Sequence, residues 1–315
     1  MILHLLDLKQ YMYTGVSKMQ TVTRGVIEDS GGYRPREFIC GSLAYVLDEV
    51  YKVMLDKQNV ICFCIDTPPL IKREMSQQYF SRKYKGGRAK APEHVTYQFR
   101  FAIEMVKEIG FNYVMLDGYE ADDCIASIIH KYGNAYERIV IHSNDSDQYY
   151  LVSDKVDIVP TSLKGKVVNK SNYESVANKD RYVPYNTITL DKLIHGEPGD
   201  NILAVPREQA SRLCRLIPPI ANNYLGDNDL LRTIVKNTCN KDEYTMHVFD
   251  MIAPIIVTDE RVDIDPSYQI DGELLRYFGI EFQAYAYRRY NPVVNENGEE
   301  MIQRFLDDLI DKEVI

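Results

Sequence analysis

Asn112-Tyr113-Val114-Met115-Leu116-Asp117-Gly118-Tyr119-Glu120-Ala121-Asp122-Asp123-Cys124-Ile125-Ala126-Ser127-Ile128-Ile129-His130 reads as a short apolar strand, a glycine turn and an amphipathic helix. Ala121, Cys124, Ile125, Ile128 and Ile129 recur at the i, i+3, i+4 spacing of one helical face, so this helix has a side to bury. Its acids crowd the other end. On a continuous helix Glu120 and Asp122 would point about 200° apart. They converge only if Glu120 sits at or before the N-cap, which Gly118-Tyr119 permits.

The same pattern recurs outward in both directions. Ile2 to Leu6, Asn59 to Ile65 and Arg138 to His142 are further short apolar runs, and Phe38 to Leu55 and Tyr97 to Ile109 read as helices between them. Strands alternating with helices give an α/β fold, a parallel sheet with helices on both faces. The expected organisation is an α/β core over 1–170, carrying a basic segment at 72–95, and a mainly helical region over 171–315 packed on it. Lys155 to Val159 and Gly165 to Asn169 read as a strand pair. Leu190 to His195 and Pro206 to Leu216 read as helices flanking a Gly196-Glu197-Pro198-Gly199-Asp200-Asn201 turn, with Pro218-Pro219 stopping the second.

Each strand is followed by acid. Asp7 follows the first, Asp66 the second, Asp117 to Asp123 the third, and Ser143-Asn144-Asp145-Ser146-Asp147 the fourth. An aspartate after a strand is commonly a turn former or a helix cap, and for any one of these alone that reading is preferred. Parallel strands joined by crossovers place their C-terminal ends along one edge. Asp7, Asp66, Glu120, Asp122, Asp123, Asp145 and Asp147 converging there would repel one another unless cations neutralise them. All-oxygen ligands select Mg²⁺, with Mn²⁺ able to substitute, over zinc. Two such ions activate a water and stabilise the leaving oxygen of a phosphodiester.

Composition sets the remaining bounds. The 315 residues carry a net charge of −9 with 45% hydrophobic residues, ordinary for a globular chain and at first sight unfavourable for a phosphate binder. The charge is segregated, however. Lys72 to Lys90 holds seven basic residues and one acid, a local +6 against −15 elsewhere. Tyr79, Phe80 and Tyr84 interleave there with Arg82, Lys83, Lys85 and Arg88, a composition that grips single strands by stacking and phosphate neutralisation; a solvated charged helix is the plainer alternative. Six dispersed cysteines without C-x-x-C spacing fit a reducing cytoplasm, with Cys62 and Cys64 as core filling. No apolar run is long enough for a membrane span, and no P-loop is present.

The ordered set Asp7, Asp66, Tyr84-Lys85-Gly86-Gly87-Arg88, Glu120-Ala121-Asp122-Asp123, Asp145-Ser146-Asp147 and Gly199-Asp200-Asn201-Ile202 resembles the flap endonuclease and 5′-3′ exonuclease family. Within it the nearest likeness is to the phage (T-even type) ribonuclease H branch. The resemblance spans roughly residues 1–216. It implies a PIN-like 5′ nuclease core with a helical arch and a modified helix-hairpin-helix. It further implies a metal set of Asp7, Asp66, Glu120, Asp122, Asp123, Asp145, Asp147 and Asp200, with Asp66, Asp122 and Asp145 at the catalytic centre. Lys85 and Arg88 match the basic pair that contacts the scissile phosphate. Arg82, Lys83, Tyr84 and Arg207 are the further nucleic-acid contacts, with Arg212 and Arg215 beside Arg207.

Ile202-Leu203-Ala204-Val205-Pro206-Arg207 lacks the family's hairpin glycine, so its K⁺ site is not expected here. The implied activity is cleavage of 5′ flaps, nicks or primer RNA in RNA-DNA hybrids during DNA replication, by a monomer, with single-stranded-DNA-binding protein as the partner. The rival readings are a PIN-type ribonuclease acting on single strands and a catalytically silent DNA-binding protein of the same fold. No motif stands out beyond residue 217.

Overall fold

The computed structural model describes residues 1–15, 58–80, 83–91, 110–161, 166–172, 196–204 and 243–268, with short pieces between them. Five strands, β1 (Ile2–Asp7), β2 (Asn59–Ile65), β3 (Asn112–Met115), β4 (Arg138–His142) and β5 (Val156–Val159), form one sheet in the order β3-β2-β1-β4-β5. The order grows outward from β1 in both directions, as in doubly wound α/β sheets. Four strands coincide with the apolar runs to within a residue at either end. They were legible because both faces are covered, so the side chains read as continuous apolar runs. All seven residues of β2 are buried, as are Leu3 to Asp7 of β1.

The helices with defined bounds among the described residues are α1 (Leu70–Phe80), α2 (Ala121–Tyr132) and α3 (Glu243–Ile252). The expected helix from Glu120 to His130 is α2. The pieces of 38–55 and 97–109 that are described are helical, whereas 190–195 and 206–216 lie outside the described residues. The expected second strand at 165–169 is reduced to a single antiparallel bridge, Ile158 to Val168. No described helix is long and apolar enough to cross a membrane.

Two compact units share the chain, each built from separated stretches. The first comprises 1–63, 90–113 and 264–315. Its core gathers Leu3, Leu5, Leu6, Leu8, Val60 and Ile61, and Phe63 meets Phe111 edge-on at 5.1 Å between centroids. Asn112 and Asp265 exchange two hydrogen bonds of 2.8 and 2.9 Å, side chain to backbone in both directions. The second comprises 64–89 and 114–263. In it β4 and β5 pair in parallel, Ile139 with Val156 through His142 with Val159, and Arg138 bonds Asp157 on the neighbouring strand. Cys62, Cys64 and Cys124 are buried free thiols, the core filling anticipated for the first two.

The first unit holds a titratable group in its apolar core. Burial lowers His4 to about pH 4, against a smaller raising effect of its hydrogen bond with Asn59 and of Asp56. The unfolded chain takes up this proton near pH 6.5. Stability from neutral His4 is therefore complete above pH 6.5 and lost as pH falls to about 4, a loss of about 3 kcal/mol. Urea unfolding of His4→Gln beside the unsubstituted protein is expected to show a flatter decline between these pH values. Equal declines would contradict it.

Candidate active site

The site of the second unit is assembled around the start of α2. Thr67, just after β2, accepts hydrogen bonds at Oγ1 from the Gly118 and Tyr119 amides at 2.9 and 3.1 Å and donates to Leu116 O at 2.7 Å. Asp66 Oδ1 accepts the Ala121 amide at 2.7 Å. The end of β2 thus fastens the turn from which α2 departs. Glu120 is the N-cap of α2, with extended backbone at φ −98° and ψ 167°. That is the geometry required for Glu120 and Asp122 to share a side.

Asp122 and Asp123 then occupy the first turn, where the helix dipole favours negative charge. That preference is far smaller than the cost of crowding three carboxylates away from water. The compensation is Lys72, on the first turn of α1 and only 2% exposed. Its Nζ lies 3.1 Å from Asp123 Oδ1, 3.6 Å from Glu120 Oε2 and 3.7 Å from Asp122 Oδ2. Burial pulls the ammonium down, but Asp122, Asp123 and Glu120 outweigh it and hold Lys72 above its usual range.

The basic segment meets the same acids from the other side. Lys85 Nζ pairs with Glu120 Oε1, and Arg88 Nη2 pairs with Asp200 Oδ1. Tyr84, 3% exposed, donates its hydroxyl towards Glu120 Oε2 at 2.9 Å and Asp200 Oδ2 at 3.2 Å. Burial raises the phenol well above its usual range, and the neighbouring carboxylates add to this, so it remains a donor. Glu120 responds to two opposing effects. Burial raises it, while Lys72 and Lys85 lower it further, leaving it below the ordinary carboxylate range. Asp122 goes the other way, pushed well up by desolvation and by Asp123 and Glu120, against the pull of Lys72.

Two motifs far apart in sequence are joined here by hydrogen bonds to backbone atoms. Asp200 closes a short 3-10 turn, Pro198–Asp200, whose flanks Glu197 and Ile202 exchange both amide bonds at 3.0 Å. The Lys85 amide donates to Asp200 O at 3.0 Å and Asn201 Nδ2 to Lys83 O at 3.1 Å. Both Lys85 (φ 53°) and Asn201 (φ 62°) are left-handed, a conformation that costs a non-glycine residue about 1–2 kcal/mol and persists only where the surroundings impose it. Gly196 also has positive φ, and a Cβ there would meet Ala204 N and Ile202 O at 2.6 Å.

The remaining expected residues divide as follows. Asp145 caps a 3-10 turn, Ser146–Leu151, accepting the Asp147 amide at Oδ1 at 2.9 Å; the extended backbone that would align the two carboxylates is replaced by this turn. The turn packs against α2 and β5. Asp7, buried at the end of β1 in the first unit, accepts the Gln10 amide at 3.1 Å. Lys83 is exposed, and Arg82 and Arg207 lie outside the described residues, as do Arg212 and Arg215. Among the described residues no three His, Cys, Asp or Glu side chains stand ready-made around a metal position. Crowded carboxylates therefore do not by themselves demand a metal, because Lys72, Lys85 and Arg88 already supply positive charge.

Reading the sequence for a site missed Lys72 as a site residue, and the reason is physical. Helix α1 buries Lys72 and Ser76, an i, i+4 polar pair, and leaves Leu70 and Tyr79 50% and 41% exposed. Ser76 Oγ accepts the Tyr84 amide at 2.8 Å. Hydrophobic periodicity has nothing to report when a helix packs onto acids. Replacing Lys72 by Met leaves Asp123 buried without its cation, which is expected to cost about 3–5 kcal/mol, with Lys72→Arg costing less. Urea denaturation measures both; a Met variant within about 1 kcal/mol of the unsubstituted protein would contradict the assignment.

Residues 5–181 match the family model described as 5′-3′ exonuclease, N-terminal resolvase-like domain. Similar curated proteins include the 5′-3′ exonuclease of Buchnera aphidicola subsp. Schizaphis graminum, 29% identical over 40% of this chain and 42% of that protein. The 5′-3′ exonuclease of Aquifex aeolicus is 28% identical over 64% of this chain and 63% of its own length, and DNA polymerase I of Deinococcus radiodurans is 30% identical over 51% and 16%. The chain thus spans less than two thirds of the length of these relatives. Among solved structures, the T5 D15 protein co-crystallised with metal ions is similar in fold at a TM-score of 0.50, covering 92% of this chain and 99% of that one at 16% identity. With the family model covering more than half of its length, the chain belongs to the flap endonuclease and 5′-3′ exonuclease family, through its N-terminal resolvase-like domain.

Proposed function

We propose that the protein is a divalent-metal-dependent 5′ nuclease that hydrolyses phosphodiester bonds at 5′ flaps, nicks or RNA primers paired to DNA. The observation that carries this reading is the meeting of Lys85 and Arg88 with Glu120 and Asp200 on one backbone-clamped turn. Acids that suit hard cations and bases that suit a phosphate are thereby held in one place.

The donor set fits Mg²⁺, with Mn²⁺ as a substitute, because every candidate ligand is a carboxylate oxygen. It is also short of positive charge. Glu120, Asp122, Asp123 and Asp200 face three protein cations, and Asp122 is pushed up by desolvation and by its neighbours Asp123 and Glu120. Asp66, Glu120, Asp122, Asp145, Asp147 and Asp200 would hold two ions, whose chemistry is to lower the pKa of an attacking water and to stabilise the leaving oxygen. The T5 D15 protein, of similar fold, has been crystallised with metal ions, and a T5 D15 flap endonuclease variant with DNA.

The chain's own cations have separate tasks. Lys85 and Arg88 exchange their carboxylate partners for the scissile phosphate and meet its developing charge. Arg88 suits this because its side chain is 55% exposed while its partner Asp200 is buried. Tyr84 keeps Glu120 and Asp200 aligned through its hydroxyl. Lys83, Arg82 and Arg207 track the strand, by charge rather than sequence. The protein acts as a monomer, with single-stranded-DNA-binding protein as its replication partner.

A labelled 5′-flap DNA and an RNA-primed duplex, incubated with Mg²⁺ or EDTA, test the proposal. Cleavage near the 5′ junction is expected in Mg²⁺, absent in EDTA and abolished by Asp122→Asn. Lys85→Ala is expected to reduce the rate about 10²–10³-fold, the size of effect of removing one preorganised transition-state donor. Cleavage that persists in EDTA would overturn the metal mechanism. Cutting confined to single-stranded RNA would replace it by the PIN-type ribonuclease.

A further inference from the structure

Resting on that metal reading, one acid of the Glu120-Ala121-Asp122-Asp123 run separates from the others by what it already binds. Asp123 is 1% exposed. Its Oδ2 accepts the Glu120 amide at 3.0 Å, and its Oδ1 accepts the Ile255 amide at 2.7 Å while lying 3.1 Å from Lys72 Nζ. Three donors from three parts of the chain thus converge on one carboxylate. Two are backbone amides, one buried and one half-buried, which would lose their acceptor if the carboxylate turned towards an ion. Glu120 and Asp122 differ. Among the described residues they make no bond to the 253–263 segment: the only backbone amide that either carboxylate accepts is that of Asp123, within the same turn, and the other partners of Glu120 are the side chains of Tyr84, Lys72 and Lys85.

The Ile255 bond is the first rung of a ladder. Val257 donates its amide to Ser127 Oγ at 2.8 Å, and Ser127 Oγ in turn donates to Asp123 O at 2.6 Å. One turn further along, Lys131 Nζ bonds Val262 O, and beside it the Tyr132 hydroxyl bonds Asp263. Asp123, Ser127 and Lys131 are four residues apart and so lie on one face of α2. Each engages the segment 255–263, which runs along that face from the first turn of the helix to the last. At the helix start Arg261 stands over the Tyr119 ring at 5.9 Å.

We infer that Asp123 is a positioning residue and not a metal ligand: with Lys72 it pins the acid-bearing end of α2 to the 255–263 strap and stays there when metal binds. The ligands that α2 contributes are then Glu120 and Asp122 alone. The polar face Asp123, Ser127, Lys131 exists to hold the strap.

Amide hydrogen exchange of the unsubstituted protein, read residue by residue by NMR in EDTA and in saturating Mg²⁺, tests this directly. Calorimetric titration with Mg²⁺ alone scores binding independently. With Mg²⁺ bound, the Ile255 amide is expected to exchange no faster than in EDTA. Acceleration by more than about tenfold would mean that the carboxylate has left Ile255, and would overturn the inference. In parallel, Asp122→Asn is expected to lower Mg²⁺ affinity by about tenfold or more, while Asp123→Asn keeps it within about threefold and speeds Ile255 exchange. Equal losses of affinity in both variants would likewise overturn it. Absence of any Mg²⁺ binding to the unsubstituted protein defeats the metal reading itself, and this inference with it.

Discussion

The buried ammonium of Lys72 among Asp123, Glu120 and Asp122 is the interaction on which the rest of the second unit depends. Three carboxylates in and before one helical turn are tolerated because a cation is built into the fold beside them. The energetics are those of a buried ion cluster. Its net contribution to stability is small, while loss of one member is severe. Such a cluster therefore specifies an arrangement more than it stabilises one. Lys72 rides on α1 and its partners lie at the start of α2, so the cluster ties those two helices together.

A second constraint follows from the first. Tyr84 reaches Glu120 only because Ser76, one turn beyond Lys72 on α1, holds the Tyr84 amide. From there the Lys85 amide and the Lys83 carbonyl bind the Pro198–Asn201 turn, and two residues accept left-handed backbone to make the fit. The basic residues are thus presented by backbone bonds to a distant turn. The conformational cost of ordering them is met in folding rather than at the moment a strand binds. This is how a chain of net charge −9 gathers Lys85 and Arg88 at one place.

How much of this was legible varies with the physics of each element. β1, β2 and β4 could be read because strands buried on both faces leave unbroken apolar runs, and α2 because one face follows helical spacing. Helix geometry set Glu120 at or before the N-cap as the condition for it to converge with Asp122, and the structure meets that condition. Helix α1 escaped as a defined helix, since its buried face is Lys72 and Ser76 and no apolar period marks it. Lys72 consequently counted as one more exposed base in a phosphate-binding run. Asp145 and Asp147, read as acids following β4, fall at the cap and in the first turn of a 3-10 turn, because the Asp145 side chain accepts the Asp147 amide. The strap over 255–263 had no signal at all, because backbone amides and carbonyls make most of its bonds to α2 and any sequence supplies them.

Lys72 is a cation that the protein keeps, distinct from any that it binds. Crystals grown in EDTA and soaked in Mn²⁺ would separate the two by anomalous diffraction. The prediction is a Mn²⁺ peak beside Glu120 and Asp122, with Lys72 Nζ on Asp123 before and after the soak. A Mn²⁺ ion ligated by Asp123 where the ammonium stood, with Lys72 displaced, would contradict it.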